Sequence, residues 1–154
     1  TGVEGLYACG EATGGMHGAD RIGGLSSANG IVFGRIAGAS AAQAAQNTPE
    51  EAPKADIALP QYGIATTVAE RLTRSLKHTM STYCMINRTE GGLSKALHEL
   101  EGLKTEATTL STQLAQDSEI AALARLQSQI QLAQEMVKAM RKRTESLGSH
   151  YRAD

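Results

Sequence analysis

Thr89-Glu90-Gly91-Gly92-Leu93-Ser94-Lys95-Ala96-Leu97-His98-Glu99-Leu100-Glu101-Gly102-Leu103 opens with a hydroxyl able to cap a helix and then settles into a helical apolar period. Leu93, Leu97, Leu100 and Leu103, continued by Ala107, Leu110 and Leu114, fall at three- and four-residue steps and so share one helix face. Upstream, Ile64, Val68, Leu72, Leu76 and Met80 recur every four residues and predict a helix that ends near Tyr83 or Cys84. Asn87 to Gly92 then breaks the pattern. Downstream, Ala115 to Ser118 turns the chain, and Asp117 or Ser118 caps a third helix. That helix carries Ile120, Leu123, Leu126, Ile130, Ala133, Val137 and Met140 on its inner side and stops near Gly148. Three amphipathic helices joined by short turns predict an antiparallel bundle.

Composition agrees with packed helices. Apolar residues make up 41% of the 154, enough for a core, but with one Phe, four Tyr and no Trp that core is aliphatic. Fifteen basic residues against sixteen acidic ones leave a net charge of -1, which excludes a general nucleic-acid binder. Cys9 and Cys84 form no paired metal motif and read as reduced packing residues, with no metal site expected. No run approaches the ~20 apolar residues of a membrane helix, so no direct membrane span is expected. The chain opens at Thr1-Gly2-Val3-Glu4 without a Met or a leader, and reads as a piece of a longer protein.

The first 48 residues are of another kind. Leu6 to Cys9 is a short apolar run between Gly5 and Gly10, as in a buried strand, and it feeds a loop crowded with glycine. From about Ser26 a helix is predicted, capped by Ser26 or Ser27, with small residues at Gly30, Gly34, Gly38 and Ala42 on one face. Interior glycines cost ~1 kcal/mol each relative to Ala in an exposed helix, so close packing against this face is expected to offset them. Asn47 to Pro60 holds all three prolines, Pro49, Pro53 and Pro60, and has no apolar period. The domain reading is therefore 1–48, a linker over 49–60, and a three-helix domain over 61–154.

The glycine-rich block, with Gly10-Glu11 after the strand, His17-Gly18-Ala19-Asp20-Arg21 and Gly23-Gly24-Leu25-Ser26, resembles the C-terminal FAD-contacting segment of succinate dehydrogenase and fumarate reductase flavoproteins. Arg88-Thr89-Glu90-x-Gly92-Leu93 and Glu145-Ser146-x-Gly148-x-His150 extend the resemblance through the helical part. The fold it implies is mainly α: a three-helix antiparallel bundle preceded by a strand-loop-helix remnant of an α/β FAD-binding domain.

The resemblance also implies roles. Gly10 and Glu11 would meet the ribose of FAD, since a carboxylate presents two acceptors to a diol. Gly23, Gly24 and Ser26 would lie against the flavin, where helix N-terminal amides stabilise negative charge on the reduced ring. Arg21 would grip a carboxylate of a dicarboxylate substrate through a planar fork of donors, with His17 shaping the same pocket. No catalytic residue is expected in this segment. Asp20 stands where the family has Asn, Leu25 also stands for Asn, and Ser146-Leu147-Gly148 lacks the family's arginine.

The reaction implied is interconversion of succinate and fumarate, or of a related dicarboxylate, by hydride exchange with FAD. The chain alone is expected to be inactive and to hold no FAD, because the pyrophosphate fingerprint Gly-x-Gly-x-x-Gly occurs nowhere in it. Implied partners are the remaining N-terminal part of the same flavoprotein, the dicarboxylate, and, for electron transfer, an iron–sulfur subunit. The setting is cytoplasmic, with any membrane association supplied by another subunit. Lys138, Arg141, Lys142, Arg143 and Arg152 make the end of the third helix basic, which suits its dipole and docking on the rest of the flavoprotein. The rival readings are an aspartate oxidase or adenylylsulfate reductase-like flavoprotein, and a non-enzymatic helical interaction module.

Overall fold

The structure, a computed structural model, describes residues 1–47, 58, 60–113 and 115–154. The chain divides into two compact units, Thr1–Asp56 and Ile57–Asp154. The expected linker, apart from residues 58 and 60, and the expected helix position Leu114 lie outside the described residues.

In the first unit a single 3-10 turn, Gly10–Thr13, precedes helix α1, Leu25–Gln46. The strand expected at Leu6 to Cys9 does not form: no described segment pairs with it, and Leu6 and Tyr7 are exposed. An extended run without a ladder partner is only extended chain. Nor does a serine cap α1. Gly24 is the N-cap, in the left-handed region at φ 84°, and brings the helix in one residue early at Leu25 without a side-chain cap. The glycine face is used at two places. Gly30 lies against Gly10, and a Cβ on Gly34 would stand 3.7 Å from the Cys9 Sγ, whereas Gly38 faces open space.

The second unit contains β1 (Tyr62–Gly63), α2 (Thr66–Tyr83), β2 (Asn87–Arg88), α3 (Glu90–Thr109), β3 (Thr112–Gln113), α4 (Asp117–Lys142) and β4 (Tyr151–Arg152). The three helices pack pairwise. Their senses follow from polar contacts: Arg71 meets Glu106, and Thr79, further along α2, meets Glu99, earlier in α3. Gln134 meets Glu101 and Arg141 meets Glu90 in the same reversed order, so α3 runs against both α2 and α4.

Ile64, Leu72, Leu93, Leu100, Leu126, Ile130 and Val137 are fully buried between the helices. Each contributes roughly 1.5–3 kcal/mol of burial. The predicted stripes of α2, α3 and α4 supply this core, Leu76, Leu103, Ala107, Leu123 and Ala133 included, and Ala69, Ala96 and Cys84 join them; the predicted inner position Leu110 departs, because α3 ends at Thr109 and leaves it 41% exposed. Buried Thr79 stays satisfied by donating to the Glu99 carboxylate at 2.6 Å.

Thr89 caps α3 as its sequence position requires, its hydroxyl accepting from the Gly92 N–H at 3.1 Å. The third helix departs from expectation at both ends. Gln116, not Asp117 or Ser118, is the N-cap, and its N–H donates to the Glu119 carboxylate at 3.3 Å. At the other end α4 stops at Lys142, before Gly148, because Arg143 turns extended and its carbonyl accepts from His150 Nε2 at 2.9 Å. Gly148, at φ 62°, instead makes the tight return between Leu147 and His150. That return sets β4 parallel to β2, with Asn87 opposite Tyr151 and Arg88 opposite Arg152. At the far end β1 and β3 pair antiparallel.

Candidate functional site

A glycine-rich loop leading into a helix can bring backbone amides and a few side chains around a ligand without bulk of its own. In the first unit this loop and the first turns of α1 enclose an open pocket of about 260 Å³, lined by Gly10, Glu11, Gly14, Met16, His17, Arg21, Ser26 and Asn29. Five of the residues singled out in the sequence thus share one pocket: Gly10, Glu11, His17, Arg21 and Ser26. Gly23 and Gly24 do not line it and instead form the turn that enters α1.

The charges in this pocket are unspent. Glu11 and Arg21 both line it, both are exposed, and neither makes an ion pair among the described residues. Asp20 makes no ion pair with Arg21 among the described residues; its Oδ1 accepts from the Arg21 backbone N–H at 2.7 Å. One small volume is thus lined by a residue bearing a fork of donors and a residue bearing a pair of acceptors, neither of them ion-paired among the described residues. A Cβ built at Gly14, Gly18, Gly23 or Gly24 would meet nothing within 4 Å.

Asn29 was not anticipated. It is the one buried residue of α1, at 8% exposure. Its Nδ2 lies against Met16 Sδ and 3.2 Å from His17 Nε2, while its buried Oδ1 has no partner. The signal was present in its position, one turn after Ser26 and so on the face already assigned to the ligand.

A second polar cluster ties down the end of the bundle. The Arg152 side chain, 7% exposed, meets Asp154 Oδ1 at 3.0 Å and Glu90 Oε2 at 3.4 Å, and Arg141 holds the other Glu90 oxygen. The Arg141 hydrogen bond first, with its charge and that of Arg152, holds the Glu90 carboxyl below the usual range, against a smaller opposing effect of burial. The hydrogen bond from Arg152 does the same for Asp154. Beside them Arg88 contacts Nδ1 of buried His150. The two short motifs at Arg88 to Leu93 and Glu145 to His150 are thus one structural device. Arg141 and Arg152 of the basic end are taken up in it, while Lys138 pairs with Glu135 and Arg143 with Glu145.

Elsewhere, no group of three or more His, Cys, Asp or Glu among the described residues could hold a metal ion. No helix among them is long and apolar enough to cross a membrane.

Comparison with known proteins gives this geometry its context. A family model described as fumarate reductase flavoprotein C-term matches residues 73–154. An uncharacterized FAD-dependent oxidoreductase of Methanocaldococcus jannaschii is 34% identical over 160 residues, covering 100% of this chain and 29% of that protein. A chain of the fumarate reductase (CoM/CoB) of Methanothermobacter marburgensis is 30% identical over 162 residues, covering 100% of this chain and 30% of its own length. An L-aspartate oxidase of Acinetobacter baylyi is 32% identical over 162 residues, with 100% of this chain and 28% of the oxidase covered. The chain spans about three-tenths of the length of these relatives.

Proposed function

Because this chain belongs to the fumarate reductase flavoprotein family, we propose that it is the C-terminal part of an FAD-dependent oxidoreductase that interconverts succinate and fumarate or a related dicarboxylate. The observation that carries this reading is that Glu11 and Arg21, neither of them ion-paired among the described residues, line one glycine-rich pocket.

The donor set fits the cofactor. Gly10 and Glu11 would hold the ribose diol, two carboxylate oxygens facing two hydroxyls. No side chain caps α1, so its first-turn N–H groups keep their partial positive charge for the flavin, with Gly23, Gly24 and Ser26 at that end. FAD, when bound, supplies the hydride-accepting or hydride-donating chemistry. Arg21 then orients the substrate by binding a carboxylate through two parallel charge-assisted bonds, and His17 narrows the space beside it. In this reading 1–48 is the C-terminal segment of the FAD-binding domain and 61–154 the three-helix C-terminal domain. An iron–sulfur subunit is the proposed electron partner.

The pyrophosphate fingerprint is missing from these 154 residues, so the chain alone is proposed to bind no FAD and to be inactive. The test is the visible spectrum of the flavoprotein carrying this segment, titrated with succinate, fumarate and aspartate. A flavin band perturbed by a dicarboxylate, with the affinity lowered at least ~30-fold by Arg21→Ala, is expected. A perturbation by aspartate alone would favour the aspartate oxidase reading, to which the 32% identical relative lends weight. Folded protein without a flavin band would overturn the assignment.

A further inference from the structure

We infer that residues 143–154 form a closed strap across one end of the bundle, fastened by His150 in the tautomer that carries its ring proton on Nε2. The strap begins where α4 stops at Lys142 and returns to β2, where the Tyr151 N–H donates to the Ile86 carbonyl at 3.1 Å and the Ala153 N–H to the Arg88 carbonyl at 2.8 Å. His150 is the buried member of the strap, at 5% exposure. Its Nε2 stands 2.9 Å from the Arg143 carbonyl, an ordinary hydrogen-bond length. A carbonyl oxygen only accepts, so the proton of a neutral imidazole must be on Nε2. Turning the ring over would set a carbon against that oxygen and leave it only the longer approach of Arg152 Nη1, at 3.4 Å.

The other ring nitrogen agrees. Nδ1 faces the Arg88 guanidinium, which only donates, so the unprotonated nitrogen is the one that suits it. Arg88 is itself held by its Nε, which donates to the Cys84 carbonyl at 3.3 Å, just past α2. The nearby carboxylates are engaged elsewhere: Glu90 with Arg141 and Arg152, Asp154 with Arg152, and Glu145 with Arg143. None of them pairs with the ring among the described residues. One imidazole thus joins the exit of α2, the exit of α4 and the strap. Losing it frees both sides at once, so residues 147–154 open together with residues 84–88 as one unit and do not fray inward from Asp154.

The test uses the full-length protein that carries this segment, with ¹³C,¹⁵N-labelled histidine, in the solid state at about pH 8, where an ordinary imidazole is neutral. Carbon–nitrogen correlation ties Nδ1 to Cγ and Nε2 to Cδ2, and the difference against His150→Gln isolates one ring. Should that variant fail to fold, Arg88→Gln identifies the same ring through the change it imposes on Nδ1. The protonated nitrogen is expected to be the one bonded to Cδ2. Hydrogen exchange read by mass spectrometry follows the strap: His150→Phe should speed exchange of 147–154 and of 84–88 together, on the order of 10-fold. His150→Gln, whose amide N–H reaches the Nε2 position, should recover most of that protection, and His150→Asn, which reaches only the Nδ1 position, should not. A wild-type ring protonated on Nδ1, or divided between tautomers, overturns the proposal. So does unchanged exchange in His150→Phe, faster exchange confined to 147–154, or equal protection in the Gln and Asn variants. Neither flavin nor substrate is read, so a failure of the enzymatic reading would show in the Arg21 titration and not here.

Discussion

Helices α1 and α3 are 22 and 20 residues long, yet α3 places five residues in a core and α1 buries only Asn29. The difference lies in where the apolar side chains stand. In α3 they hold one face, and α2 and α4 cover it. In α1, Ile31, Val32, Phe33 and Ile36 point in several directions, and each is about half exposed or more. A helix apolar on several sides is built to be surrounded. One unit thus satisfies its own chemistry, while the other presents apolar surface, a free guanidinium and a free carboxylate to something else. That contrast is what the flavoprotein reading explains, since the relatives are more than three times as long as this chain.

The comparison can be broken most forcefully by deleting matched side chains. Leu100→Ala, at a fully buried site, should cost about 2–5 kcal/mol in urea denaturation. Ile31→Ala, at 74% exposure, should leave the unfolding free energy within about 0.5 kcal/mol. Equal effects would contradict the division. Adding a methyl group sharpens it next. A Cβ at Gly63 would meet Ala115 Cβ and come 2.8 Å from the backbone at Glu119 and Ile120, so Gly63→Ala should cost about 1–3 kcal/mol. Gly38→Ala meets nothing within 4 Å and should instead stabilise α1 by about 0.5–1 kcal/mol, read from helicity.

Acid provides the smallest and most local test. Glu90 and Asp154 are held below their ordinary carboxyl values, so what they contribute is present above the usual carboxylate range. It fades as the pH falls through that range toward the depressed folded values. The bundle should therefore loosen at its β2–β4 end in acid, and Arg152→Gln should be less stable at neutral pH and less acid-dependent. An unchanged acid profile in that variant would remove the cluster from the account. Helix α1 contains no acidic residue and should not follow the same titration.

The bundle was legible because periodicity alone identifies a face that must be covered, and in Leu72, Leu93 and Leu126 it was. The Thr89 cap was equally readable, being a contact across three residues. Contacts made across long stretches were not. The strand at Leu6 to Cys9 depends on a ladder partner that composition does not reveal. The end of α4 depends on His150 and Arg152 returning to Arg143 and Glu90, a pairing set by tertiary closure and not by local preference. At the site, the residue types of Glu11, His17 and Arg21 were visible, and the structure collects them in one pocket. Asn29 escaped notice because a lone amide beside the small-residue face carries no period, and only its place one turn after Ser26 pointed to the pocket.

Hydrogen–deuterium exchange on the 154-residue chain tests the contrast between the two units most directly. Amides of α3 and α4 should exchange only through global opening of the bundle, while those of α1 should exchange orders of magnitude faster. Protection of α1 equal to that of α3 would contradict the account, because it would mean that the first unit already possesses the cover its apolar surface calls for.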